Sequence, residues 1–350
     1  MKSGFHLILS IALLLMNSCI DPLDLEIDDQ AEMLVVDGLI TNEPGPYTVR
    51  LSRSKPYDSY ADNWSAVEMG ATLILSDDKG NQETLTETAP GRYQTSVAGL
   101  QGQLGSTYTL SIRTKSGETY TSVPETLRPV PPIDSLYFEV RPQQVLNEED
   151  VEVTIHVVDV LLDAPDPETE KNYYLWQWQS TFQVNTQPWD YTEKIRGVRV
   201  PRPKDCCEVC WVTGPTNSVN VQEDRLLNGG LLSRHVVTQI PVTEQAFGTK
   251  YHLEVKQLSL SEAAYDFWRI LKAQIENGGS IQDPPPATII GNITNTVTGE
   301  RALGFFGASA VTRSSLVIRR EELGVRIGPY VFPDDCRVIT NSTTERPVFW

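Results

Sequence analysis

Short runs in which apolar and polar residues alternate with a period of two recur along this chain, separated by clusters of turn residues. A strand sends successive side chains to opposite faces, so such a run reads as a half-buried strand and fits no helix. Tyr47-Thr48-Val49-Arg50-Leu51-Ser52-Arg53 and Tyr108-Thr109-Leu110-Ser111-Ile112-Arg113 are the clearest cases. Ser76-Asp77-Asp78-Lys79-Gly80-Asn81 and Lys115-Ser116-Gly117 supply the reversals between runs. Seven such strands are expected in 33–123, at 33–40, 47–53, 71–75, 82–86, 91–97, 108–113 and 118–123. That spacing predicts an immunoglobulin-like or fibronectin-like β-sandwich. Tyr108 follows Gly105-Ser106-Thr107 and is either a corner tyrosine or an ordinary core residue.

Pro124, Pro129, Pro131 and Pro132 mark 124–133 as an extended, semi-rigid linker. Residues 134–350 are then a second β-rich domain, with strands expected at 135–141, 151–160, 173–184, 230–241, 250–258 and 312–319. The fold class is mainly β, two β-sandwich domains with one amphipathic helix in the second. That helix, near 261–276, places Ala264, Phe267, Trp268, Leu271 and Ile275 on one face. Ser261 or Ser259 caps it, and Asn277-Gly278-Gly279 ends it. Its apolar face is expected to cover the second sandwich rather than dock a partner. The acidic stretch 159–170 reads as a solvated loop, lacking the regular spacing of a calcium site.

The first residues bear on location. Met1-Lys2, then the apolar run 7–16, too short to span a bilayer, then Met16-Asn17-Ser18-Cys19, have the form of a signal peptide over 1–18 ending in a lipobox. Acylation at Cys19 and an acidic tether over 19–32 follow from that reading. A net charge of −17 opposes nucleic-acid binding and adhesion to anionic lipid. The remaining cysteines, Cys206, Cys207, Cys210 and Cys336, are disulfide candidates in an exported chain. A bridge between the neighbours Cys206 and Cys207 is disfavoured, and one bond from this cluster to Cys336 is expected. Zinc on Cys207-Glu208-Val209-Cys210 is the alternative, but no second such pair and no nearby histidine accompany it.

Catalytic motifs are missing from the sequence. His156 and His252 share strand faces with polar residues and are expected toward solvent, and His235 has no metal-like neighbour. Neither a nucleophile elbow nor a zincin or phosphate-loop motif occurs. The chain is therefore expected to be no enzyme and to hold no cofactor or metal. Aromatic side chains are the better candidates for recognition. Tyr174, Trp176 and Trp178 share one strand face, and Trp189 and Trp211 follow; they form either a ligand or partner surface or a sandwich core.

Several stretches together resemble the outer-membrane lipoproteins of the domain-of-unknown-function 4249 family of Bacteroidota. They are Leu34-Val35-Val36-Asp37-Gly38-Leu39-Ile40, Pro131-Pro132-Ile133-Asp134-Ser135, Leu260-Ser261-Glu262-Ala263-Ala264-Tyr265, Leu303-Gly304-Phe305-Phe306-Gly307, Cys336 and the terminal Phe349-Trp350. The resemblance implies a lipid-anchored, surface-exposed protein of the outer membrane that serves a TonB-dependent receptor as a non-catalytic binding or accessory subunit. A structural or adhesive surface lipoprotein is the alternative, and a hydrolase with two facing carboxylates a third reading. Asp134-Ser135-Leu136 resembles an O-glycosylation site of the same phylum, which makes Ser135 a candidate for modification.

Overall fold

The computed structural model describes residues 32–55, 67–168, 171–216, 218–225, 229–276, 289 and 291–350. The signal segment, Cys19, the tether up to residue 31 and the helix stop at 277–279 lie outside the described residues. The protein is mainly β. Its first strands are β1 (Leu34–Thr41), β2 (Thr48–Arg53), β3 (Thr72–Asp77), β4 (Gln82–Thr84), β5 (Thr86–Ala89), β6 (Arg92–Gln94), β7 (Thr107–Arg113), β8 (Thr119–Ser122) and β9 (Glu125–Thr126). Next come β10 (Ser135–Leu146), β11 (Glu152–Pro165), β12 (Tyr173–Asn185), β13 (Thr192–Ile195), β14 (Val198–Pro201), β15 (Val209–Pro215), β16 (Asn220–Glu223), β17 (Leu231–Pro241) and β18 (Lys250–Ser259). Helix α1 (Glu262–Glu276) precedes β19 (Ile293–Asn295), β20 (Leu303–Ser309), β21 (Val311–Arg319) and β22 (Ser342–Thr343). Among the described residues no helix is long and apolar enough to cross a membrane.

The first sandwich packs the sheet β20-β1-β2-β6-β5 on the sheet β19-β8-β7-β3-β4, with β9 beside β7. The inward residues of the alternating runs, Val49, Leu51, Tyr108, Leu110 and Ile112 among them, form one core. Tyr108 does close a corner: its hydroxyl accepts from the Gln103 amide at 2.7 Å and donates to the Gln101 carbonyl at 3.3 Å. The expectation that 33–123 completes this sandwich needs correction. β19 and β20 arrive from the far end of the chain, and β20 runs parallel to β1 along Val35–Thr41. A parallel partner needs a long crossover, so no hairpin pattern announces it. Gly304, at φ 83°, permits the contact, because a Cβ there would collide with the Val36 carbonyl.

The 124–133 stretch is correspondingly a packed seam. Leu127 is fully buried in the first core, and Val130 touches both cores. The Pro131 carbonyl accepts from Gln257 Nε2 at 2.9 Å and from Thr312 Oγ1 at 3.1 Å, which fastens the seam to the second sandwich.

That second sandwich packs the sheet β10-β11-β17 on the sheet β21-β18-β12-β15-β22, with β16 also on β12. β11 continues through 159–165, where a loop was expected. Its carboxylates are satisfied locally: Asp159 accepts from Arg141 at 2.6 Å, and Asp163 accepts from Ser135, Tyr137 and the Arg234 amide. Charge on this strand is neutralised across its neighbours, so acidity does not break it.

Helix α1 begins with Ser261, whose Oγ accepts from the Ala264 amide at 3.1 Å. Ser259 is engaged elsewhere, donating to the Arg128 carbonyl and accepting from the Ala310 amide. Ala264 and Phe267 pack on Tyr173, Leu175 and Leu258 of the second sandwich and on Phe305 of β20. The helix thus bridges the two sandwiches instead of covering the second alone.

Candidate functional site

Strand β12 lies between β18 on one side and β15 and β16 on the other, so its alternation decides what each face of the large sheet presents. Tyr174, Trp176 and Trp178 point inward and are 5%, 0% and 8% exposed. The Trp176 indole N–H donates to Gln257 Oε1 at 2.9 Å, which satisfies a polar atom that burial would otherwise leave unpaired. His235 stacks on Trp176 at 4.0 Å between ring centroids; burial first, and the Lys272 charge second, hold its pKa down at about 4. Trp211 is 9% exposed. Of the five aromatics read as either a surface or a sandwich core, Tyr174, Trp176 and Trp178 are therefore core, while Trp211 lies opposite Gln183 on the outer face, covered by Trp350. Trp189 alone of them is open, at 53%. The physical reason is that two stacked sheets need large inward side chains on the central strand, and period-two alternation cannot say which face is inward.

The outer face of the same sheet is organised in cross-strand rows. Leu175, Leu258 and Val311 form an apolar row beneath α1. Gln177, Lys256 and Arg313 come next, followed by Gln179, Glu254 and Ser315. Thr181, His252 and Val317 make a further row. Phe349 lies over His252, ring centroids 4.1 Å apart. His252 is hence buried, contrary to the solvent-side position expected for it; burial lowers its pKa, with Glu254 opposing and Lys250 adding to the shift. Trp350 lies beyond, edge-on to Trp211 and under the Lys250 ammonium, and its indole N–H donates to Gln183 at 3.2 Å.

Between the helix and the chain's last residues a polar band stays open. It forms a cleft of about 410 Å³ lined by Gln177, Trp178, Gln179, Pro215, Thr216, Glu254, Lys256 and Arg313, so Trp178 is the one sequence-predicted aromatic that borders it. Glu43, from the first sandwich, closes one wall by pairing with Lys256 at 3.2 Å and with Arg313. Arg313 also pairs with Glu254 at 2.9 Å. Burial pushes the Glu43 carboxyl up, but Arg313 and Lys256 outweigh it and hold the group below the usual carboxylate value. A charged network framed by amides and a hydroxyl is suited to recognising a polar ligand that both donates and accepts hydrogen bonds. Sequence reasoning missed Glu43, Gln177, Gln179 and Arg313. Only the register across β12, β18 and β21 brings the last three together, and nothing local marks Glu43.

Below this face the disulfides fix the base of the 186–210 region. Cys210 bonds Cys336 with Cα atoms 5.7 Å apart, as the expected bond from the cluster to Cys336. Cys206 bonds Cys207, the pairing disfavoured from sequence. Cys210 is turned into a small core with Val184, Val212 and Cys336, which leaves the two neighbours only each other. All four sulfurs are thereby engaged, so the zinc alternative loses its thiolates. Among the described residues no group of three metal-type side chains is placed to hold an ion. Ser135 is exposed on β10 and donates to Asp163 Oδ2 at 3.0 Å.

A family model described as Domain of unknown function (DUF4249) matches residues 20–315. The chain belongs to the DUF4249 family. The match extends from the residue after Cys19 into β21, so the DUF4249 region takes in both sandwiches, the helix and the strands that return to β1. It also holds every residue lining the open band. No curated protein matches the chain.

Proposed function

We propose that this protein is a lipid-anchored, non-catalytic binding or accessory subunit of an outer-membrane uptake complex built on a TonB-dependent receptor. The lipobox at Cys19 supports the anchoring. The observation that carries the binding role is the open band on the large sheet. Its two carboxylates, Glu43 and Glu254, are both spent in pairs with Arg313, and Glu43 is held ionised. A group kept in that state is poorly placed to deliver a proton to a substrate, whereas a fixed ion-pair network suits recognition. Glu43 also ties the band to the first sandwich, so both halves of the molecule contribute residues to it.

Affinity purification of the tagged full-length protein from its native outer membrane, read by mass spectrometry, tests this reading. A stoichiometric TonB-dependent receptor is expected with the wild type and lost with Cys19→Ala. Recovery of the acylated protein without a receptor would contradict it.

A further inference from the structure

The hairpin β13–β14 stands apart from the rest of the protein. Among the described residues its two strands pair only with each other, and seven of their eight residues are exposed. At about 3.3 Å per residue it projects roughly 13 Å. Its base is held firmly. The Arg202 and Lys204 amides donate to Tyr191 and Pro188, Gln187 exchanges hydrogen bonds with Phe332, and the Cys336 amide donates to the Cys207 carbonyl.

The chemistry of the hairpin opposes that of the chain around it. Lys194 sits directly across from Arg199, a like-charge pair that costs stability in a free hairpin. Arg196 occupies the turn at φ 49°, a conformation that Asn, Asp or Gly adopts more easily. None of these three cations pairs with a carboxylate among the described residues, although the chain carries a net charge of −17. The opposite face carries Ile195 across from Val198, 37% and 64% exposed, and Trp189 stands open at the base.

We infer that the hairpin Thr192–Pro201 is a docking finger for an acidic surface on a protein partner. This deepens the accessory-subunit reading and rests on it. Unpaired cations held together by a rigid base await an anionic counterpart. Trp and Arg are among the residues enriched in protein hot spots. Two features favour protein over anionic lipid. The apolar tip is only Ile195 and Val198, too little to seat in a bilayer, and the overall charge repels an anionic membrane face.

The test places a photocrosslinker at the tip, Val198→p-benzoylphenylalanine, in the full lipidated chain in its own cells. Val297, 84% exposed on the first sandwich, carries the same group as the control. The expected adduct at 198 is with a peptide rich in Asp and Glu from a membrane protein. Its yield should fall about tenfold or more in Lys194→Glu/Arg196→Glu/Arg199→Glu, and likewise when salt rises from ~50 to ~500 mM. All three positions are exposed, so the triple variant should fold, and its melting curve checks this. Adducts with lipid alone, an undiminished yield in the triple variant, or the same adduct from position 297 would overturn the inference. Should the receptor copurify undiminished with the triple variant, the finger is wrong while the accessory reading stands. Should no receptor copurify with the wild type while a charge-dependent protein adduct persists, the finger stands and the accessory reading falls.

Discussion

The two sandwiches of this protein solve the same packing problem differently. The first uses short strands, most joined by tight turns, with its inward residues spaced evenly along each run. Two of its strands are nonetheless borrowed from 293–309. The second is built around one long strand, β12, which buries three aromatics on one face and carries polar residues midway along the other. Alternation therefore describes the first sandwich well as a set of strands and poorly as an independent unit. In the second, the aromatic face that alternation left as either surface or core is core, and the open polar band lies on the other one.

The comparison is broken most severely by separating what the sheets join. A fragment of residues 32–130 lacks β19 and β20 and so leaves β1 with an open edge and the core without Ile293, Ala302 and Phe306. It should fail to fold, with collapsed amide dispersion in its NMR spectrum; a well-dispersed, cooperative fragment would show that the first sandwich is self-sufficient. In the second sandwich, Trp176→Ala should cost ~3–5 kcal/mol in denaturant unfolding, through the cavity and the loss of the donor to Gln257 Oε1. Replacing Cys210 or Cys336 by Ser should cost ~2–5 kcal/mol, since the bond spans 126 residues. The hairpin beside it should be cleaved faster by protease in the same variant than in the wild type.

Smaller effects sharpen the contact between the halves. Arg313→Ala should cost no more than ~1 kcal/mol, because the guanidinium is nearly half exposed. The pH dependence carries the clearer sign. Glu43 titrates below its ordinary value of 4.5 in the folded protein, so its contribution is present above that pH and is lost as pH falls through the lower folded value. Arg313→Ala should flatten that acid limb of the stability curve. Phe349→Ala is the mildest change. It uncovers His252, whose pKa should rise toward the ordinary 6.5 in an NMR titration, with little loss of stability.

How much of this was legible in the sequence follows from what each feature depends on. Strand runs are local, and local patterns announce them; the same patterns narrow Tyr108 to a corner or a core residue and the helix cap to Ser261 or Ser259, and the structure decides both. The parallel pairing of β20 on β1 depends on residues more than 250 positions apart, and only the close approach at Gly304 hints at it. The open band needs three strands in register, a carboxylate from the other sandwich and aromatic covers from 349–350. None of these is a spacing within one segment, so single-sequence reading led to Trp176 and Trp178 and passed over Gln177 and Gln179.

On the proposed function, partner and ligand contacts gather on the second sandwich. Lysine acetylation of the full-length protein, alone and with the proposed receptor bound, is the deciding measurement. Protection of Lys256 in the band and Lys194 on the hairpin is expected, with Lys79 and Lys115 of the first sandwich labelled equally in both states. Protection of Lys79 and Lys115 with Lys256 and Lys194 unchanged would contradict it.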